Sequence, residues 1–166
     1  MELKPRLESN ESRTHVELSR TYPVSRSKGF AYFMDVAAWD EWTTLTVVEP
    51  ETTVWREPGD VVNYRYATPI AGVPLNGSAM LEEVRPEELV KMRLRTTGLP
   101  DAPVECAFSH AGLGAFTLTL MVHAEDPPGF FGAALQQLTM METFAARDMR
   151  RCLDGLERTV NQLKAA

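Results

Sequence analysis

The sequence predicts a single α+β domain: a curved antiparallel sheet of about seven strands wrapped around one long C-terminal helix, with two short helices after the first strand. Three observations predict it. His15 to Tyr22 alternates apolar and polar residues, the period of a half-buried strand. Between residues 45 and 125, strand-like segments follow one another at short spacings, divided by Pro- and Gly-bearing turns, which suits an antiparallel meander rather than βαβ crossovers. From about Phe130 to Leu163, apolar residues recur every three or four positions, the stripe of an amphipathic helix.

In the first strand Val16, Leu18, Arg20 and Tyr22 share one face, and Glu17, Ser19 and Thr21 the other. Pro23 ends it, and Ser25 is placed to cap the helix that follows. Phe30, Phe33 and Met34 recur at helical spacing; Asp35 then interrupts and can cap a second short helix, Val36 to Trp42. Phe30, Phe33, Trp39 and Trp42 are too large to leave in water, so the pair must wedge against the body of the domain. Further strands are expected at Leu45–Glu49, Asp60–Ala67, Leu75–Val84, Leu89–Thr96, Val104–His110 and Ala115–Glu125. The turns carry Pro58-Gly59, Pro69 through Pro74, Arg85-Pro86, Gly98 through Pro103, and Gly112 through Gly114. Leu81 and Val84 both read as buried despite opposite parity, which predicts a bulge.

In the closing helix Leu138, Met141, Ala145, Met149, Cys152, Leu156, Val160 and Leu163 form the apolar stripe, and Asp154 and Arg158 make an i,i+4 pair outside it. Gly132 and Gly155 are its weak points. Such a helix is about 50 Å long, enough to cross a sheet. Residues 1–14 lack periodicity and read as a flexible tail, leaving 15–166 as the domain.

Composition narrows the function. With 166 residues, 44% hydrophobic and 24% charged, the chain is long enough for a core and an internal pocket. No apolar run approaches the roughly 20 residues that cross a bilayer, and Met1–Thr14 has no secretory apolar stretch, so a cytoplasmic location is expected. A net charge of −6 argues against nucleic acid, and Arg150 and Arg151 stand beside Asp148 and Asp154. Cys106 and Cys152 fall in different elements and read as small buried apolar residues, neither disulfide nor nucleophile. His15, His110 and His123 show no metal-ligand spacing, so no metal and no cofactor are expected. There is no nucleophile elbow, phosphate-cradling glycine loop or paired-carboxylate motif.

The stretches "HVELSRTYPVSRSKGFAYFMDVAAWDEW", "GSAMLEEVRPEELVKMR" and "RDMRRCLDGLERTV" together make the chain resemble the START/polyketide cyclase-dehydrase superfamily, which includes the birch-pollen-allergen-like proteins. The resemblance runs from Thr14 to Leu163 and implies the helix-grip fold. It departs in two places. No Pro precedes the second Trp in Trp39-Asp40-Glu41-Trp42, and the glycine-rich loop of the plant allergens is replaced by "PIAGVPLNG". Both departures point toward the bacterial cyclase/dehydrase branch, whose members bind lipids, polyketides or other apolar metabolites. In its cyclases, polar pocket residues position a polyketide chain for aldol closure and dehydration.

A cavity between sheet and helix is then lined by one parity of each strand. That parity selects Val62, Tyr64 and Tyr66; Val90, Met92 and Leu94, since Lys91, Arg93 and Arg95 must face water; Cys106 and Phe108; and Phe116, Leu118, Leu120 and Val122. The helix adds Leu138, Met141 and Ala145. Met80 joins through a methionine cluster suited to shape-tolerant apolar binding, and Trp39 and Trp42 cap one end. The polar candidates, for orienting a ligand or for acid–base work, are Tyr64, Tyr66, His110 and Glu142. The favoured reading is binding or carriage of a small apolar metabolite or lipid by a monomer or homodimer. The alternatives are a polyketide cyclase/aromatase or dehydratase, and a protein-interaction module on the same fold.

Overall fold

The structure, a computed structural model, describes residues 13–67, 74–99, 101–125 and 133–165, with side chains placed for 16–67, 74–99, 101–123 and 145–162. Chain order runs β1 (Arg13–Tyr22), α1 (Arg26–Met34), a 3-10 turn (Val36–Ala38), α2 (Trp39–Trp42), β2 (Leu45–Val47), β3 (Val61–Ala67), β4 (Pro74–Arg85), β5 (Leu89–Thr96), β6 (Ala102–His110), β7 (Phe116–Glu125) and α3 (Ala133–Ala165). All seven strands pair antiparallel in the order β1-β7-β6-β5-β4-β3-β2. β1 therefore leaves its sequence neighbours and closes against the last strand, and α3 returns across the concave face. This is the helix-grip fold.

Local chemistry sets the element ends. The Lys28 amide donates to Ser25 Oγ at 3.3 Å, capping α1, and the Ala37 amide donates to Asp35 Oδ1 at 3.1 Å. Only seven residues separate Asp35 from Thr43, so the second helix is a 3-10 turn followed by one α turn. β1 begins at Arg13, because the ladder with β7 continues to Arg13↔Glu125; Arg13 and Thr14, expected in the tail, belong to the strand, and residues 1–12 lie outside the described ones. The bulge is real: register shifts between Leu81 and Glu83, so Leu81 opposes Met92 while Val84 opposes Val90, all on the concave side.

The strand register corrects one expectation. Met80 opposes Val61 and Arg93, so it lies on the convex face and does not belong with the concave residues. The convex side also carries ion pairs, with Arg93 Nε 2.8 Å from Glu82 and Lys91 Nζ 3.2 Å from Glu83.

α3 is tied to both sides of the sheet. At β1, the Tyr22 hydroxyl donates to the Leu153 carbonyl at 2.9 Å, and Arg20 reaches Asp154 and Glu157. Asp154 thus pairs with β1 rather than with Arg158 as expected. At β3, the Tyr66 hydroxyl donates to the Asp148 carboxylate. Gly155 is no weak point in the helix. A Cβ there would stand 2.6 Å from the Trp42 carbonyl oxygen and 2.8 Å from its Cα, so glycine is what lets α2 and α3 touch backbone to backbone.

The core lies between the concave face, α1, α2 and the C-terminal half of α3. At its centre the Phe116 ring, fully buried, stacks on Tyr22 (centroids 5.3 Å apart) and faces Phe108 at 6.0 Å. Phe108 is met edge-on by Phe30 and Phe33. Gly29 of α1 sits over Phe116, and any side chain there would overlap the ring.

Candidate ligand-binding site

Burial changes along the concave face. At the end near α1, Leu18, Tyr22, Leu81, Val90, Cys106, Phe108, Phe116 and Leu118 are all buried. Toward the opposite end, Val16, Leu75, Leu94, Val104 and Val122 point the same way yet are only half-buried. One half of the face is thus packed core, and in the other the aliphatic side chains are only partly buried. Apolar area left open on the inside of a curved sheet is where a small molecule gains most from burial.

Two polar pairs stand at this half-open end. Tyr64 is buried, and its hydroxyl shares a 2.7 Å hydrogen bond with Thr96 Oγ1. To get there the ring passes over Gly77, where a Cβ would lie 2.5 Å from Tyr64 Cε2. The missing side chain on β4 thus lets a residue of β3 reach β5. The second pair is Tyr66 with Asp148, half-buried on β3 and α3. Burial raises the Asp148 carboxyl above the usual carboxylate range, partly offset by the Tyr66 hydroxyl and by Arg151 and Arg147. Burial likewise raises the Tyr66 phenol, reinforced by the Asp148 charge, so it stays a donor at neutral pH.

The cysteines are inert here. Burial pushes Cys152 up to about 12 and Cys106 higher still, so neither is a thiolate nucleophile at neutral pH, and both are free thiols. Among the described residues no group of His, Cys, Asp and Glu is arranged to hold a metal ion, and no helix is long and apolar enough to cross a membrane.

The structure brings Val62, Tyr64, Tyr66, Met92, Leu94, Phe108, Phe116 and Leu118 onto one concave face, with Ala145 half-buried on α3. Phe108, Phe116 and Leu118 belong to its closed half. Trp39 and Trp42 are buried beside α1; the Trp39 indole donates to the Phe33 carbonyl at 3.0 Å, while Trp42 Nε1 is buried without a partner. His110 is corrected: it is exposed at the β6–β7 hairpin, three strands from β3, and never meets Tyr64 or Tyr66. Its parity is inward, but it stands at the strand end where the sheet stops. The side chains of Leu138, Met141 and Glu142 lie outside the described ones.

Sequence reasoning missed Asp148 and Thr96. Asp148 stands three residues after Ala145 and four before Cys152, on the stripe itself, and that spacing was the available signal. Its neutralising role toward Arg151 hid it.

The exchange of Asp148 for Asn tests its environment. A carboxyl whose folded pKa is raised stabilises the fold below its unfolded value, near 4, and loses that contribution as pH rises through the folded value. The melting temperature of the natural protein minus that of Asp148→Asn is therefore expected to fall as pH increases from about 4 toward neutrality. A difference that rises over that range refutes the assignment.

The family described as "Polyketide cyclase / dehydrase and lipid transport" matches residues 13–161. Among curated proteins, none matches the sequence. Among solved structures, the chain is similar to the ZhuI aromatase/cyclase from Streptomyces sp. R1128, with TM-score 0.73, 13% identity, and coverage of 91% of this chain and 95% of that one. It is similar to a START superfamily protein from Mycobacterium smegmatis, with TM-score 0.70, 13% identity, and coverage of 90% and 98%. The di-domain ARO/CYC StfQ of the steffimycin biosynthetic pathway gives TM-score 0.69 at 12% identity over 93% of this chain and 52% of that one. At these identities the likeness is one of fold.

Proposed function

The chain belongs to the polyketide cyclase / dehydrase and lipid transport family, and on that premise we propose that it binds a small, mostly apolar, oxygen-bearing molecule on the half-open end of its concave face. The observation that carries this reading is the partly exposed aliphatic surface of Val16, Leu75, Leu94, Val104 and Val122 with the Tyr66–Asp148 pair beside it. Aliphatic walls supply affinity through burial. A few placed polar groups supply orientation, and here they are two phenols, a threonine and a carboxyl. A pure hydrocarbon has no use for them, so the ligand carries a carbonyl or hydroxyl.

A second reading, cyclisation or dehydration of a polyketide-like chain, is favoured by the same pair. An ionised Asp148 can take a proton from a carbon between two carbonyls, and the Tyr66 hydroxyl can donate to the oxygen that gains charge. That carbon then attacks a second carbonyl, whose oxygen takes the proton back. Carriage is the reading we favour, because the described lining is mainly aliphatic and burial raises the pKa of both phenols, which keeps Tyr64 and Tyr66 as hydrogen-bond donors at neutral pH.

The test is a titration with flavone, an apolar ring compound with a carbonyl acceptor. Tyr66→Phe keeps the ring and removes the donor, and is expected to weaken flavone by about fivefold to tenfold. Binding of a hydrocarbon of the same size should barely change. Unaltered flavone affinity removes Tyr66 from the site.

A further inference from the structure

We propose that the Tyr66–Asp148 pair selects an uncharged hydroxy-ketone, whose hydroxyl donates to the Asp148 carboxylate while its carbonyl accepts from Tyr66. The inference rests on the concave-face reading above and names the class of molecule that face takes.

Hydrogen-bond capacity carries it. An ionised carboxylate offers about four lone-pair positions and no proton, whereas a phenol has one proton. The Tyr66 proton goes to Asp148 Oδ2. Asp148 Oδ1 receives no hydrogen bond or ion pair from the described residues, and it is not sealed from solvent: the sealed side-chain polar atoms without a partner among them are Arg26 Nε, Trp42 Nε1 and Trp55 Nε1. An acceptor thus stands open beside the aliphatic surface. Tyr66 opposes Leu75, one of the half-buried residues of that surface. Asp148 shares the α3 face of Ala145 and Cys152, and its bond to Tyr66 turns that face to the sheet.

Three ligand chemistries meet this pair differently. A ketone without a hydroxyl gains the Tyr66 proton only by drawing it off Asp148, and it leaves a half-buried carboxylate with no donor. A hydroxy-ketone replaces what it takes. Its own proton goes to Asp148 while the Tyr66 proton goes to its carbonyl, so both protein groups stay paired. An ammonium would also pair with the carboxylate, but Arg147 and Arg151 on α3 act on the same charge, and a cation there meets two like charges.

The experiment titrates the full chain with flavone, with 6-hydroxyflavone and 3′-hydroxyflavone, and with the methyl ether of each, which keeps the oxygen and loses the proton. Neither hydroxyl is conjugated with the carbonyl, so both phenols stay protonated at neutral pH. At least one hydroxyflavone is expected to bind about tenfold tighter than its ether, the scale of a hydrogen bond to a charged group. In Asp148→Asn, shown by circular dichroism to be folded, that preference is expected to fall below about twofold. In the natural protein it is expected to shrink as pH falls from neutrality toward about 4, because protonation removes the charge that the hydroxyl meets. The other groups acting on Asp148 are Tyr66 from β3 and Arg147, Arg151 and Cys152 from α3, and none of them titrates in that range: burial raises the phenol and the thiol, and the arginines stay charged. Flavone bound with no preference for either hydroxyl over its ether, a preference that survives in Asp148→Asn, or one that does not weaken in acid overturns this inference and leaves the binding reading standing. Failure of flavone and all four derivatives to bind overturns both.

Discussion

Phe116→Ala is expected to lower the stability of the fold by about 3–5 kcal/mol, the range for truncating a fully buried aromatic. The ring has 0% exposure, stacks on Tyr22 and faces Phe108. It also fills the space above Gly29, where α1 offers no side chain of its own. The neighbours cannot close over the cavity, because Tyr22 is held by its hydrogen bond to the Leu153 carbonyl and Phe108 is wedged by two α1 rings. Truncation therefore removes the contact joining β1, β7, β6 and α1 at once. For a domain of this size each kcal/mol moves the melting temperature by about 2–4 °C, so a fall of roughly 10 °C is expected. Denaturant unfolding followed by circular dichroism checks it, and a loss under about 1 kcal/mol would show that the α1 end is not the closed half of the core.

Met92→Trp is expected to abolish ligand uptake on the concave face at a stability cost of about 1–3 kcal/mol from overpacking. Met92 opposes Leu81 on β4 and Val104 on β6, at the border where buried residues give way to half-buried ones. A larger ring at that point cannot sink toward Cys106 and Leu118, which are already packed. It must project over Leu94 and Val104, the surface assigned to the ligand. Flavone titration of the variant, with circular dichroism to show that it is folded, is the check. Uptake equal to that of the natural protein would mean that the ligand does not use this face.

Much of this was legible in the sequence because the fold is written in periodicity. Two-residue alternation placed Val62, Tyr64 and Tyr66 on one face with Asn63 and Arg65 on the other, and the three-to-four spacing of α3 picked out Met149, Leu156 and Val160. Met80 failed for a physical reason. It was admitted through a methionine cluster, a matter of composition that carries no parity, and beside the concave Leu81 the pleat turns residue 80 to the convex side, opposite Val61 and Arg93. Gly155 read as a helix breaker because its partner, the Trp42 backbone, is more than a hundred residues away in sequence. Asp148 was hidden by its charge, since a carboxylate on an apolar stripe is discounted until a phenol from β3 is seen to meet it. Trp55 stands in a loop with no periodicity, where no pattern signals burial. Local rules thus reached the faces of elements and missed contacts between elements distant in sequence.

The central claim is that the half-open concave face holds a small oxygen-bearing molecule. Native mass spectrometry of the purified full chain, alone and with flavone, tests it most directly, followed by extraction of anything carried. The account predicts one molecule per chain, co-purified or taken up, and its absence from Met92→Trp. A chain that carries nothing and takes up nothing, or a Met92→Trp variant that loads as well as the natural protein, would contradict it.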